Sequence, residues 1–195
     1  MKKDFGAAYY DRYYESSETR VQGAAEVRHL GQFILSFAAW SGAEIRSVLD
    51  VGAGPGLLRD WFAREHPSVK YRSTEVSAYA CERYGHERRD IATWRAREKF
   101  DLVVCQGVLP YLKDADAKRA IANIGAMSRG FFYLEAITKR DVRDVCDTEK
   151  TDTKVHLRTA SFYSKALAPH FIRLGCGLFY SKKGPHAFYD LERSK

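Results

Sequence analysis

The sequence predicts an α/β protein in which a mostly parallel sheet carries helices on both faces. Three observations lead there. An apolar run, Ser47-Val48-Leu49-Asp50-Val51, meets a glycine-rich turn, Gly52-Ala53-Gly54-Pro55-Gly56, and an amphipathic stretch begins at Leu57. That order is a buried strand, a tight turn and a helix start. Strand-like and helix-like segments then alternate, the pattern that layers helices over a parallel sheet. Finally, Arg173 to Tyr180 and His186 to Leu191 flank Lys182-Lys183-Gly184-Pro185 and read as a closing antiparallel hairpin.

The elements follow in order. Phe5, Tyr9, Tyr10, Tyr13 and Tyr14 share one face of a short helix, which either pins itself to the domain or covers a ligand. Ser16, Ser17 and Thr19 are N-cap candidates for a helix running to about Trp40. Its stripe of Val27, Leu30, Ile34, Phe37 and Ala38 reads as core, and Ser41-Gly42 ends it. Residues 1–43 are thus expected to form a helical lid or cap on a core of residues 44–195. Ile45 to Val51 is the first strand. Leu57 to His66 is a helix with Leu57, Leu58, Trp61 and Phe62 inward, broken at Pro67. Val69 to Glu75 is the second strand, and Ala78 to Arg83 a short helix. Glu87 to Ile91 is a polar third strand suited to a sheet edge. Phe100 to Gly107 is the clearest strand after the first. Asp114 to Ser128 is a helix with Ala117, Ile121, Ile124 and Met127 toward the sheet, terminated at Gly130. Phe131 to Ala136 is the fifth strand. Residues 138–160 are polar and the least core-like part of the chain, and Phe162 to His170 is the last helix.

Composition bounds the function. The chain has 195 residues, 45% of them apolar, enough for one globular domain with a sizeable core. No apolar run approaches the roughly 20 residues that span a bilayer. No signal-like apolar region follows the basic start Met1-Lys2-Lys3-Asp4-Phe5, so a cytoplasmic protein without a membrane partner is expected. Cys81, Cys105, Cys146 and Cys176 form no C-x-x-C pair, so neither a metal site nor a redox pair is expected. The net charge of +7 mildly favours a polyanionic partner or an acidic substrate. Acids and bases nevertheless alternate, as in Lys139-Arg140-Asp141-Val142-Arg143-Asp144, which marks a solvated face.

The glycine turn is where a ligand is expected. Glycine lets a ligand touch bare backbone, and the helix that follows offers unpaired N–H groups with a partial positive charge. A dinucleotide fingerprint accommodates Gly52 and Gly54, but its third small position falls on Leu57, and Gly56 comes one residue early. Asp50 at the strand's end would repel a pyrophosphate and welcome an ammonium group. A phosphate-binding P-loop is excluded because no G-K-[ST] follows.

The stretch D-V-G-A-G-P-G, Asp50 to Gly56, resembles the first motif of the class I S-adenosylmethionine-dependent methyltransferases, and the resemblance extends over nearly the whole chain. It implies a Rossmann-like seven-stranded sheet of order 3-2-1-4-5-7-6 with strand seven antiparallel. It implies S-adenosylmethionine as cofactor. Asp50, Gly52, Ala53, Gly54 and Gly56 would hold the methionine end, Glu75 the ribose, and Asp90 with Ile91 the adenine. F-D-L-V from Phe100 is similar to the family's fourth strand, whose end at Gln106-Gly107 would lie beside the methionine moiety. Tyr10 and Tyr14 in Y-Y-D-R-Y-Y, Tyr111 in the loop after the fourth strand, and Glu135 at the end of the fifth are acceptor-side candidates. His156, in a segment that builds the substrate lid in this family, is a further candidate and could act as a general base near neutral pH. A structural salt bridge is the alternative for Glu135. No catalytic residue is assigned: the sulfonium is already activated, so alignment could supply much of the rate.

The [ND]-P-P-[YF] motif of many enzymes that methylate base amines or glutamine amides is absent after the fourth strand, which reads Gln106-Gly107-Val108-Leu109. That absence leaves RNA ribose, base carbon and small-molecule acceptors open; because aromatic residues dominate the expected lid and no RNA-binding module is appended, methyl transfer to an oxygen, nitrogen or carbon of a small molecule is the expected activity. An RNA methyltransferase, favoured by the basic charge, and a non-catalytic nucleoside-binding protein are the alternatives. A nicotinamide-dependent oxidoreductase is disfavoured by Asp50 and Leu57.

Overall fold

The computed structural model describes residues 5–16, 18–20 and 22–193. Met1–Asp4, Ser17, Val21, Ser194 and Lys195 lie outside the described residues. Seven strands form one sheet of order β3-β2-β1-β4-β5-β7-β6, the order that the family resemblance implied. They are β1 Ser47–Val51, β2 Lys70–Glu75, β3 Glu87–Arg88, β4 Phe100–Gln106, β5 Ser128–Glu135, β6 Phe171–Gly175 and β7 Leu178–Ser181. β3, β2, β1, β4 and β5 run parallel, and β7 is antiparallel to both β5 and β6. The helices are α1 Ala7–Tyr10, continued by a π-helical turn over Asp11–Glu15, α2 Ala24–Trp40, α3 Leu57–Glu65, α4 Ala78–Tyr84, α5 Asp114–Met127, α6 Lys139–Asp144 and α7 Ala160–Leu167. None of the described helices is long and apolar enough to cross a membrane.

The period of two along β4 explains the layering. Leu102 and Val104 face one side and join Val27, Ile34 and Ala38 of α2 with Leu58, Trp61 and Phe62 of α3. Val103 and Cys105 face the other and join Ala120, Ile121, Ile124 and Met127 of α5 with Tyr163 and Leu167 of α7. A strand buried on both faces carries apolar residues at every position, which is why β4 was so clear in the sequence.

Four expectations require correction. Neither Ser16 nor Thr19 caps α2. The helix begins after Gly23, whose N–H is held by the Glu26 carboxylate at 2.9 Å, and the Thr19 hydroxyl donates to the Arg12 carbonyl instead. β3 is only two residues long, not the span to Ile91. The Asp90 carboxylate accepts from Ala92 N at 2.9 Å, and its carbonyl accepts from Trp94 N at 2.7 Å, so the chain turns where a longer strand was expected. Gly130 does not end α5, since β5 starts at Ser128. It lies within the strand, where a Cβ would fall 2.4 Å from the Asp101 carbonyl oxygen.

The hairpin is the fourth correction. It turns at Cys176-Gly177, with Gly175 paired to Leu178, whereas Lys182 to Pro185 follows β7 and residues 186–191 are not a strand. Both loop residues have positive φ, 48° at Cys176 and 77° at Gly177, as a two-residue hairpin of this hand demands. Cysteine carries no turn signal, so the sequence read on as one strand. Asparagine tolerates this conformation better than cysteine. Cys176→Asn is expected to stabilise the fold by about 0.5–1 kcal/mol, since a non-glycine residue at positive φ is strained by roughly 1–2 kcal/mol. Urea unfolding of both proteins measures it, and an unchanged or lower midpoint contradicts the account.

Candidate active site

The parallel strands bring their carboxyl ends together on one edge of the sheet, and a cleft opens there beside β1 and β4. Its position is the crevice where an open α/β sheet reverses strand order. From the glycine turn, Asp50, Gly52, Ala53, Gly54, Pro55, Leu57 and Leu58 line it. The end of β4 supplies Gln106 and Gly107, the following 3₁₀ turn supplies Pro110 and Tyr111, and β5 supplies Glu135. Tyr9, Tyr13, Tyr14 and Gln22 close it from the N-terminal segment, and Thr151, Asp152 and Val155 from the segment after α6.

The turn is held by its neighbours. Gly52, Gly54 and Gly56 all have positive φ, 71°, 57° and 79°, a run that only glycine adopts without strain. Gly52 and Ala53 donate to the Thr74 carbonyl at 2.8 and 3.1 Å. Gly54 N donates to the Glu75 carboxylate at 3.3 Å, and the Gly54 carbonyl accepts from His86 Nε2 at 3.0 Å. Since that carbonyl only accepts, Nε2 carries the proton. Nδ1 of the neutral ring then accepts from the Ser73 hydroxyl at 2.8 Å. Burial lowers the His86 pKa, consistent with a neutral ring.

Asp50 is 5% exposed at the end of β1. The Tyr71 phenol donates to its Oδ2 at 2.8 Å, and no arginine or lysine among the described residues forms an ion pair with it. Burial pushes its pKa up to about 7, against the lowering effect of the Tyr71 hydrogen bond. Glu75 is 7% exposed, and burial also raises its pKa. Its Oε1 accepts from Val76 N at 2.6 Å and Ser77 N at 3.1 Å.

The predicted residues divide into two groups. Asp50, Gly52, Ala53, Gly54, Gln106, Gly107, Tyr14, Tyr111 and Glu135 meet around the cleft. Gly56, Glu75, Tyr10, Asp90, Ile91 and His156 do not line it. Gly56 caps α3 behind the turn. Tyr10, 2% exposed, packs with Tyr14, Tyr79 and Tyr84 and lies against Glu75, so the aromatic segment covers that carboxylate. Ile91 is buried in the core, and Asp90 is exposed on its turn. His156 is exposed, its backbone N–H taken by the Pro110 carbonyl at 2.8 Å, which leaves the expected general base outside the cleft.

Residues that the sequence did not single out complete the site. Gln22 Nε2 donates to Glu135 Oε2 at 3.1 Å, and Gln106 Nε2 donates to the same oxygen at 3.4 Å. The Tyr9 and Tyr111 hydroxyls are 2.8 Å apart, and Tyr111 donates to Asp152 Oδ2 at 2.9 Å. Arg158, 5% exposed, anchors this side. It pairs with Asp114 at 2.8 Å, donates to the Leu109 and Leu112 carbonyls and lies over the Phe162 ring. It thus fixes the turn that carries Tyr111.

Comparison with solved structures gives the fold a name. The sugar N-methyltransferase KedS8 from Streptoalloteichus sp. superposes with a TM-score of 0.64 at 17% identity, over 93% of this chain and 94% of that one. CalS10, an amino pentose methyltransferase from Micromonospora echinaspora with SAM bound, gives 0.63 at 16% identity over 93% and 98%. The magnesium protoporphyrin IX methyltransferase ChlM from Synechocystis, with SAH bound, gives 0.62 at 14% identity over 91% and 95%. The chain has the class I methyltransferase fold. Neither models of known families nor curated protein sequences give a match. Within the class I methyltransferase fold, the cleft described here lies beside the glycine turn after the first strand.

Asp50 gives this site a pH signature. An acid that titrates near 7 when folded, rather than near 3.8, holds an extra proton between those values, so stability falls as pH rises through that window. Asp50→Asn removes the titration. Between about pH 5 and about pH 8, the wild type should lose on the order of 1–3 kcal/mol more stability than the variant. Urea unfolding at both pH values measures it, and parallel behaviour of the two proteins refutes the buried, ionisable Asp50.

Proposed function

We propose that this chain transfers a methyl group from S-adenosylmethionine to a small-molecule acceptor bound in the cleft. The observation that carries the reading is Asp50: a buried carboxylate, without an ion-pair partner among the described residues, beside a bare-backbone turn at the sheet's reversal point. Such a group suits a ligand that brings its own ammonium, as the methionine end of S-adenosylmethionine does. Phosphate ligands would meet only repulsion there. The likeness to methyltransferases of small molecules supports the same reading.

For the cofactor we assign residues in two zones, one that lines the cleft and one beyond its lining. Asp50, Gly52, Ala53 and Gly54, with Gln106 and Gly107 opposite, would hold its amino-acid end. Glu75 would accept from the ribose hydroxyls, and Asp90 from the adenine amino group while Ile91 backs the ring from the core. When bound, S-adenosylmethionine supplies a methyl carbon made electrophilic by the sulfonium. The chain's task is then to align the acceptor and exclude water, for which the tyrosines over the cleft are suited. The RNA alternative draws on the net charge of +7, but no lysine or arginine lines the cleft among the described residues.

Calorimetric titration with S-adenosylhomocysteine, with NAD in parallel, tests the cofactor. Binding of the former alone is expected. Glu75→Ala should weaken it by roughly 1–3 kcal/mol through lost hydrogen bonds, with thermal unfolding as the check that the variant is folded. Binding of NAD instead, or of neither, rejects the reading. The cover over Glu75 adds a kinetic expectation. Tyr10 must lift before a ribose reaches that carboxylate, so Tyr10→Ala should raise the association rate of S-adenosylhomocysteine several-fold in stopped-flow fluorescence. An unchanged rate means that the nucleoside enters without displacing Tyr10.

A further inference from the structure

Among the described residues, the charged side chains that line the cleft have one sign. Asp50, Glu135 and Asp152 line it, and no lysine, arginine or histidine side chain does among the described residues. This holds in a chain whose formal net charge is +7. The remaining polar groups are the amides of Gln22 and Gln106 and the phenols of Tyr9, Tyr13, Tyr14 and Tyr111.

Glu135 is built for a definite task. It ends β5 on the side of the cleft opposite the turn from β1, with β4 and Gln106 between them. Both glutamine amides donate to its Oε2, and among the described residues Oε1 receives no donor. Two donors on one oxygen hold the carboxylate at a set angle without neutralising it, since neither amide carries charge. The structural salt bridge that the sequence allowed for Glu135 is absent among the described residues. The aromatic walls suit the same ligand, because ring faces attract cations.

We propose that Glu135 is the specificity-determining residue of the acceptor pocket and that the acceptor is an amine bound as its ammonium. This deepens the methyl-transfer reading and rests on it for the reaction, though not for the binding preference. The ammonium donates to Glu135 Oε1. An ammonium has no lone pair, so it first passes one proton to that carboxylate. The freed nitrogen lone pair then forms the N–C bond as the methyl's C–S bond breaks with its electron pair going to sulfur. The product is a methylated ammonium and a neutral thioether. An acceptor that is anionic at neutral pH, a phosphate or carboxylate among them, would meet the Glu135 charge, which no ion pair among the described residues offsets.

The test separates this inference from the cofactor reading. Calorimetry with S-adenosylhomocysteine alone reports on the cofactor. Benzylamine, benzyl alcohol and benzoate, titrated in turn with and without saturating S-adenosylhomocysteine at neutral pH, report on the pocket. Benzylamine should bind about tenfold or more tighter than the alcohol, and benzoate weakest, the size expected for one charge-assisted hydrogen bond. Glu135→Gln keeps the shape and removes the charge. It should erase the advantage of the amine over the alcohol while leaving S-adenosylhomocysteine affinity within about twofold of wild type. Equal or tighter binding of the alcohol or benzoate overturns the proposal, as does no binding by any of the three, and the wild-type ranking stands even where the variant does not fold. Loss of S-adenosylhomocysteine binding with the amine preference intact overturns the cofactor reading alone.

Discussion

A turn made largely of glycine has no side chains with which to hold itself, and everything at this site depends on how its backbone is fixed. The second strand does most of it. The Thr74 carbonyl takes two N–H groups of the turn, the Glu75 carboxylate takes a third, and His86 grips the Gly54 carbonyl from behind. These contacts run between β1 and β2 because the two strands pair in parallel from Ser47 with Lys70 to Val51 with Thr74. Sheet register therefore sets the shape of the turn. A slip of one residue would replace the Glu75 carboxylate with a side chain on the other face.

The same arrangement has an electrostatic cost, which explains the acidity of the cleft. Asp50 and Glu75 end adjacent strands, and burial raises the pKa of both. Two carboxylates held near one another in a poorly solvated crevice destabilise the folded chain. They are tolerable where a cationic ligand offsets them, and such strain is more often found at functional sites than in structural cores. Among the described residues no lysine or arginine lines the cleft, and many of them pair with acids elsewhere, as Arg72 pairs with Glu87 and Arg143 with Asp144. Net charge is thus a poor guide to the ligand of a recessed site, and the electrostatics of the lining decide.

Much of the sheet was legible in the sequence because burial on both faces leaves an unbroken apolar run, as in Leu102 to Cys105, and because the glycine turn has few alternative explanations. The errors fall where structure is determined by contacts distant in sequence. β3 is short because Asp90 bonds locally and ends it. The hairpin turns at Cys176 because β5 and β7 pair Phe131 with Tyr180 and Tyr133 with Leu178, which fixes where β7 must start. Among site residues, Asp50, Gly52, Gly54, Gln106 and Glu135 are readable, since each ends or follows a strand. Gln22 and Asp152 are not, for they reach the cleft from irregular segments with no periodic signal. His156 looked chemical in the sequence but is exposed and does not line the cleft, and what it contributes there is its backbone N–H, bonded to the Pro110 carbonyl.

The two irregular segments are joined through a chain of hydroxyls. Tyr9 from the N-terminal segment meets Tyr111 from the turn after β4, and Tyr111 meets Asp152 from the segment after α6. Arg158 holds the middle of this chain by gripping the carbonyls of Leu109 and Leu112 on either side of Pro110 and Tyr111. The guanidinium is buried and paired with Asp114 at the start of α5, so the turn is tied to the rigid part of the fold. A movement of the N-terminal segment that uncovers Glu75 must therefore break or carry the Tyr9 contact while Tyr111 stays fixed. Movement beside Glu75 and movement beside Tyr111 are in this way coupled through the Tyr9–Tyr111 phenol pair, with the anchored Tyr111 as the fixed partner.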